Sequence, residues 1–391
     1  MNRVPTPSRQ RLTELFLDLA RVPSPSRRER EVADIITAFL GKLGMTVHED
    51  DTGSHTGGEA GNIWCTVDGE VSAPNLALGA HMDTVEPTEE IQPVLDAEGV
   101  FRNTRATILG ADDKAAIAAL LHATELLVAT REPFPSYELF FTVSEESGLV
   151  GAKHLGEHVF ASPLAAVFDS SGPVGGITVK APSQQGLQAV FRGRAAHAGV
   201  EPERGRSAIQ AAAKAIAAMN LGRIDDETSA NIGVIKGGVA SNIIPDLCEV
   251  RGECRSHDEE KLVRVASAMV DALHEGAAQT GVDVEINLVH EYRAFTLSER
   301  SAVVRLSKAA LAALDLHARV VTGGGGSDAN VLNARGLPTV NLNAGMMQVH
   351  SPDEYLALDD LERLCSLMLQ MIRLAPEFVP RATIAASRAH D

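Results

Sequence analysis

The order in which strand-like and helix-like stretches follow one another is what most constrains this chain. Up to about position 180, short apolar runs such as "NIWCTV", "NLALGA", "YELFFTV" and "LAAVFD" alternate with helical patterns. A helix over Ser8–Ala20 would put Leu12, Leu15, Phe16 and Leu19 on one face. A second is expected to begin at Ser26, where Ser26 and Glu29 have capping-box spacing, and to end near Gly41 or Gly44. Asp113–Val128, with its repeated Ala and Leu, is strongly helical. Strands alternating with helices imply a largely parallel sheet covered on both faces. The texture then changes. Strand Gln184–Arg192, helix Ser207–Met219, strands Asn231–Ile235 and Leu247–Arg255, helix Asp258–Gln279 and strand Val282–His290 follow a split βαβ plan. After Arg293 the βα texture resumes, with strand Thr339–Asn343 and a last helix Leu358–Leu374, and the tail beyond Pro380 reads as weakly ordered. The expected fold is α/β: a three-layer catalytic domain with a mostly parallel central sheet, from residues 1–180 and 294–391, plus an inserted smaller α+β (β-α-β-β-α-β) domain at 181–293.

A length of 391 residues suits two cores. A net charge of −17 argues against a nucleic-acid partner, whose phosphates need a basic footprint. No run reaches the ~18 apolar residues of a membrane span, and no apolar h-region of a secretory signal is visible. Cys65, Cys248, Cys254 and Cys365 form no C-x-x-C pair, so they are expected to be free and buried, as in a reducing compartment. A cytoplasmic protein, with no membrane partner, is the resulting expectation.

Four expected strands run into side chains of metal-binding type. "NLALGAHMDTV" places His81 and Asp83 directly after a strand, "YELFFTVSEESG" ends in Glu145 and Glu146, and "LAAVFDSSG" ends in Asp169. "LPTVNLNAGMMQVHSPDE" reaches His350 a short loop after its strand, and Asp112, in "ILGADDKAA", stands just before a helix. In open α/β sheets ligands bind beyond the carboxyl ends of the strands. One sheet edge would therefore collect two imidazoles and several carboxylates, and adjacent negative charges there need a positive partner. Carboxylate and imidazole ligands without thiolate suit Zn²⁺, Mn²⁺ or Co²⁺. Five ligands exceed the needs of one tetrahedral zinc, whereas two cations ~3.5–4 Å apart that share a carboxylate would use them all. Adjacent side chains of an extended chain point to opposite sides, so one of Glu145 and Glu146 can bind metal while the other takes a proton from water. Asp83, two residues from His81, can reach back to orient its imidazole.

These residues sit in segments that resemble the M20 family of dinuclear metallopeptidases, and within it the peptidase T-like (tripeptidase) branch. The segments are "GAHMDTV", "LGADDKAA", "TVSEESG", "VFDSSG", "GRAAHAGVEPERGRSAI", "SNIIPDLCEVRGECRS", "GGGGSDANVLNARGLPTVNL" and "VHSPDE", in the family's order over about residues 10–375. The resemblance implies that Asp112 bridges two divalent ions, Zn first with Mn or Co as alternatives. It implies that His81 and Asp169 complete one site, and Glu146 and His350 the other. Glu145 would be the general base and later the proton donor, and Asp83 would orient His81. The inserted domain would be a lid and dimerisation domain. In it His197 would reach the scissile carbonyl oxygen, often from the partner subunit of a dimer, while Asn242 and Arg255 would hold the substrate. One departure stands out: the branch usually carries an acid before the glutamate pair, and here that position is Ser144. The "GGGG" loop lacks the framing of a nucleotide-binding motif.

The resulting expectation is metal-dependent hydrolysis of amide bonds in short peptides, by an aminopeptidase or tripeptidase-like exopeptidase using a metal-bridged hydroxide. N-acyl or N-carbamoyl amino acids are the alternative substrates, and a metal-binding protein without catalysis is the alternative from another class.

Overall fold

The structure, a computed structural model, describes residues 4–130, 132–156 and 159–379. The tail beyond Pro380, expected to be weakly ordered, lies outside the described residues. The chain divides into two units. One holds the residues up to Val179, Thr296–Gly323 and those from Ser327 onward; the other holds Lys180–Phe295 with Gly324–Gly326.

The larger unit is built on a nine-stranded sheet. Four parallel neighbours form its centre, in the order Tyr137–Thr142, Ala77–His81, Ala165–Ser170 and Thr339–Asn343. Antiparallel strands flank them, Ile63–Val67 among them. Every residue of Tyr137–Thr142 and Ala77–His81 is buried, as a sheet covered on both faces requires. Close packing sets the composition locally. A Cβ on Gly79 would stand 2.1 Å from the ring of Phe140 in the adjacent strand, so only glycine fits there.

Helix Arg9–Ala20 buries Leu12, Leu15, Phe16 and Leu19, and the Ser8 side chain caps it by accepting from Arg11 N–H. The second helix corrects the sequence expectation. It runs Arg30–Lys42, and its N-cap, Glu29, makes no side-chain cap bond. Ser26 and Glu29 form no capping box, because their side chains are engaged elsewhere. Helix Ala111–Thr130 is buried along most of its length, since its many alanines let neighbours approach from all sides. A small four-stranded sheet was not anticipated. It joins Pro93–Leu95 and Val100–Asn103 to the hairpin of Met346–Met347 and Tyr355–Ala357. Strands of two to four residues are too short to show a period, yet this hairpin carries His350 in its loop.

The second unit is a five-stranded antiparallel sheet in the order Gly222–Asp225, Thr228–Gly237, Leu247–Ser256, Ser183–Arg192, Asp283–Tyr292. Helices Ala208–Ala218 and Glu259–Ala278 close its core around Leu187, Phe191, Ala212, Leu262 and Leu273. Ser207 and Asp258 cap the two helices by accepting from Gln210 N–H and Lys261 N–H. Strand Gly222–Asp225 adds a hairpin to the split βαβ plan.

Gly79→Ala tests the packing of the central sheet. Overpacking of this kind costs about 1–3 kcal/mol. The urea midpoint is expected to fall by the corresponding amount with an unchanged m-value; an unshifted midpoint would show that the Phe140 ring yields freely.

Candidate metal centre

Because the four central strands run parallel, their carboxyl ends lie along one edge, and the chain turns there with its acids and imidazoles. His81 closes its strand and is 2% exposed. Its Nε2 lies 3.1 Å from Asp112 Oδ1 and 3.8 Å from Asp169 Oδ1. From the hairpin, His350 Nε2 lies 2.9 Å from Glu146 Oε1 and 3.4 Å from Asp112 Oδ2. Asp112 thus turns one oxygen to each histidine. Among the described residues, three sets of ligand atoms lie within 4.8 Å of one another: His81, Asp112 and Asp169; His81, Glu145 and Glu146; and Asp112, Glu146 and His350. The first and third share only Asp112.

The backbone is shaped to present these groups. Ser144 is in the left-handed region, with φ of 52°, a conformation a non-glycine residue adopts at a cost. Glu29 stabilises it: its Oε1 accepts from both Ser144 N–H and Ser144 Oγ at 3.0 Å. One residue earlier, Val143 N–H donates to Asn62 Oδ1, and Asn62 Nδ2 donates to the carbonyl of Gly151. The turn then aims two N–H groups at Asp83, from Glu145 at 2.9 Å and Glu146 at 3.2 Å. Ser26 Oγ donates to the same carboxylate at 2.6 Å.

His81 Nδ1 is 2.9 Å from the Asp83 backbone carbonyl and 3.4 Å from its Oδ1, so both groups of Asp83 face the imidazole. The carboxylate also accepts three donors and so holds the glutamate turn.

The electrostatics are those of a site with too much negative charge. Burial drives the Glu145 and Asp169 carboxyls well above the usual range, and neighbouring carboxylates push each further. Burial opposes the ionised form of Asp112 too, but hydrogen bonds from His350 and His81 outweigh it and hold the group down at about 2. His350 is raised to about 10 by its hydrogen bonds to Asp112 and Glu146. Burial alone would lower His81, yet its carboxylate neighbours carry it well above its ordinary value. Four carboxylates and two imidazoles, with no thiolate, are the donor set of divalent zinc, manganese or cobalt, and such cations supply the missing positive charge. The residues fit the metal the chemistry calls for.

The comparisons with known proteins agree with this geometry. The model of peptidase family M20/M25/M40 matches residues 77–374. The chain belongs to that family. An uncharacterised protein, YqjE of Bacillus subtilis (strain 168), is 39% identical over 366 residues, covering 94% of this chain and 98% of the relative. A tripeptidase from Staphylococcus aureus subsp. aureus Mu50 shares the fold with a TM-score of 0.87 and 34% identity, over 95% of this chain and 100% of that one. Aminopeptidase PepT from Bacillus cereus ATCC 10987 does so with a TM-score of 0.80 and 38% identity, over 95% and 99%. The chain is a metal-dependent peptidase of the M20 family.

The remaining expected residues of this M20 peptidase lie in its second unit. His197 pairs with Ile243 in an isolated antiparallel bridge, and its Nδ1 accepts from Gly199 N–H at 3.1 Å. Ala198 N–H donates to the Asn242 carbonyl at 3.0 Å, so the structure brings His197 and Asn242 onto joined loops. Arg255 lies inside strand Leu247–Ser256, where it pairs with Glu253 through two hydrogen bonds of 2.9 and 3.0 Å. The pairing follows from the strand, in which i and i+2 share a face.

Several residues that the sequence does not mark out support the candidate site in the structure. Ser26 and Glu29 read as helix signals, since serine and glutamate three apart are the mark of a capping box. Asp328 is buried, accepts from Thr142 Oγ1 and is pushed up to about 6 by burial. Glu354 was only part of a matched motif. Glu29→Ala would leave Ser144 N–H buried and unpaired, a cost of about 1–3 kcal/mol. Denaturation in urea is expected to show that loss, with Glu29→Gln losing less because it keeps an acceptor. Equal stability of Glu29→Ala and the parent would refute the role given to this contact.

Proposed function

We propose that the chain is an exopeptidase of the aminopeptidase or tripeptidase type, acting on short peptides with two divalent cations, zinc first. The observation that carries this reading is the division of Asp112 between two histidine-bearing ligand sets. His81, Asp112 and Asp169 would hold one cation, and Asp112, Glu146 and His350 the other. Cations so held lower the pKa of bound water toward ~7 and polarise a carbonyl.

The protein's own residues do the rest. Glu145, buried beside the ligands, receives the proton of the attacking water. As the carbonyl carbon gains its C–O bond and the C–N bond breaks, Glu145 returns that proton to the leaving amine. Asp83 keeps Glu145 in place through its backbone N–H. His197, Asn242 and Arg255 bind the substrate in this reading. Its support is their correspondence to the family's motifs, the joined loops of His197 and Asn242, and the planar fork of Arg255, which suits a terminal carboxylate.

A homodimer through the Lys180–Phe295 unit belongs to the same reading, supported by the exposed Val234, Ile235, Val239 and Leu247. A reducing, cytoplasmic setting is supported by four cysteines that are all free. Among the described residues no helix is long and apolar enough to cross a membrane.

Glu145→Gln separates binding from chemistry. It is expected to retain two equivalents of metal while kcat falls by roughly 10²–10⁴-fold, the usual worth of a positioned general base. Normal turnover by this variant would refute the assignment. A panel of di- and tripeptides against N-acyl and N-carbamoyl amino acids tests the substrate class; the peptides are expected to be cleaved, and exclusive cleavage of the acylated amino acids would overturn the exopeptidase reading.

A further inference from the structure

Beyond the ligands and the base, one buried acid joins the two segments that carry Asp112 and His350. Glu354 is 2% exposed. Its Oε2 accepts from Leu109 N–H at 2.9 Å and Gly110 N–H at 2.8 Å, and its Oε1 from Asp112 N–H at 3.0 Å. These donors converge because Gly110 takes a positive φ of 75°, which bends the loop into a small anion-binding concavity. At the other end, Glu354 stands four residues after His350 and directly before strand Tyr355–Ala357. Its own N–H closes the hairpin loop by donating to the Ser351 carbonyl.

We propose that Glu354 is a positioning residue, which fixes the Leu109–Asp112 loop against the His350 hairpin so that Asp112 and His350 meet at one cation. The inference rests on the two-cation reading above. Residues 112 and 350 are separated by most of the chain, and their nitrogen and oxygen stand 3.4 Å apart. A distance that short needs a fixed connection between the two loops. Through three backbone donors on one side and a closed hairpin on the other, the Glu354 carboxylate supplies it. Without it, three buried N–H groups lose their acceptor and the loop is free to drift. His350 is then the more affected histidine, since its side chain is half exposed and His81 sits inside the sheet.

The test is calorimetric titration of chelator-treated full-length protein with Co²⁺. The parent is expected to bind two equivalents. Glu354→Gln, which keeps the shape but puts an amide where a doubly accepting carboxylate stood, is expected to bind the equivalent beside His350 10–100-fold more weakly, as loss of a ligand-orienting partner does, and the equivalent beside His81 with a smaller loss, since the two share Asp112. Glu354→Asp, which keeps the charge on a shorter arm, is expected to fall between. In Glu354→Gln, kcat should drop at limiting Co²⁺ and recover at saturating Co²⁺ with KM unchanged. Two binding steps within twofold of the parent in a folded Glu354→Gln would overturn the proposal. If that variant does not fold, Glu354→Asp decides by the same criterion, and failure of both to fold even in saturating Co²⁺ would also overturn it. A parent that binds fewer than two equivalents would instead refute the two-cation reading.

Discussion

Negative charge concentrated at one edge of a parallel sheet is the constraint on which the rest of this molecule depends. Asp112, Glu145, Glu146 and Asp169 converge there with two imidazoles, His81 and His350, among the described residues. Such a cluster cannot persist in a buried place without positive charge. The carboxyls of Glu145 and Asp169 are driven upward, and both histidines are raised above their ordinary value by their carboxylate neighbours. Divalent cations relieve all of these shifts together. The same deficit that would destabilise an ordinary core therefore becomes the source of affinity and of catalytic power.

Around that cluster the fold acts as a set of restraints on backbone direction. The parallel strands fix His81, Asp169 and the start of the glutamate turn to within the register of the sheet. The turn itself is held from behind by residues far away in sequence: Glu29 on Ser144, Asn62 on Val143, and Asp83 on Glu145 and Glu146. Ser144 pays for its left-handed backbone with these contacts. Its hydroxyl, standing where the tripeptidase-like branch usually carries an acid, donates to the Glu29 carboxylate. A carboxylate is thus present beside this position after all, delivered from a different part of the chain.

Much of this was legible in the sequence because strand ends are local. An apolar run followed by His, Asp or Glu announces a residue at the sheet edge, which makes His81, Glu145, Glu146 and Asp169 readable; Asp112 is read from its place before a helix, and His350 from a loop after its strand. Helices with strong periodicity, such as Arg9–Ala20 and Leu358–Leu374, were readable for the same reason. What escaped was long-range. Ser26 and Glu29 obey a local helix-start pattern and break it only because Asp83 and Ser144 compete for their side chains. Nothing local tells a reader that the Asp83 carboxylate also receives the backbone N–H groups of the glutamate turn. The small sheet behind His350 consists of strands of two to four residues, too short to carry a hydrophobic period.

The central claim is that Asp112 bridges two cations. Anomalous X-ray diffraction from crystals of the full-length protein grown with Zn²⁺ tests it most directly. The account predicts two peaks ~3.5–4 Å apart, one beside His81 and Asp169 and the other beside Glu146 and His350, each touched by a different oxygen of Asp112. A single peak, or two peaks of which either lies out of reach of Asp112, would contradict it.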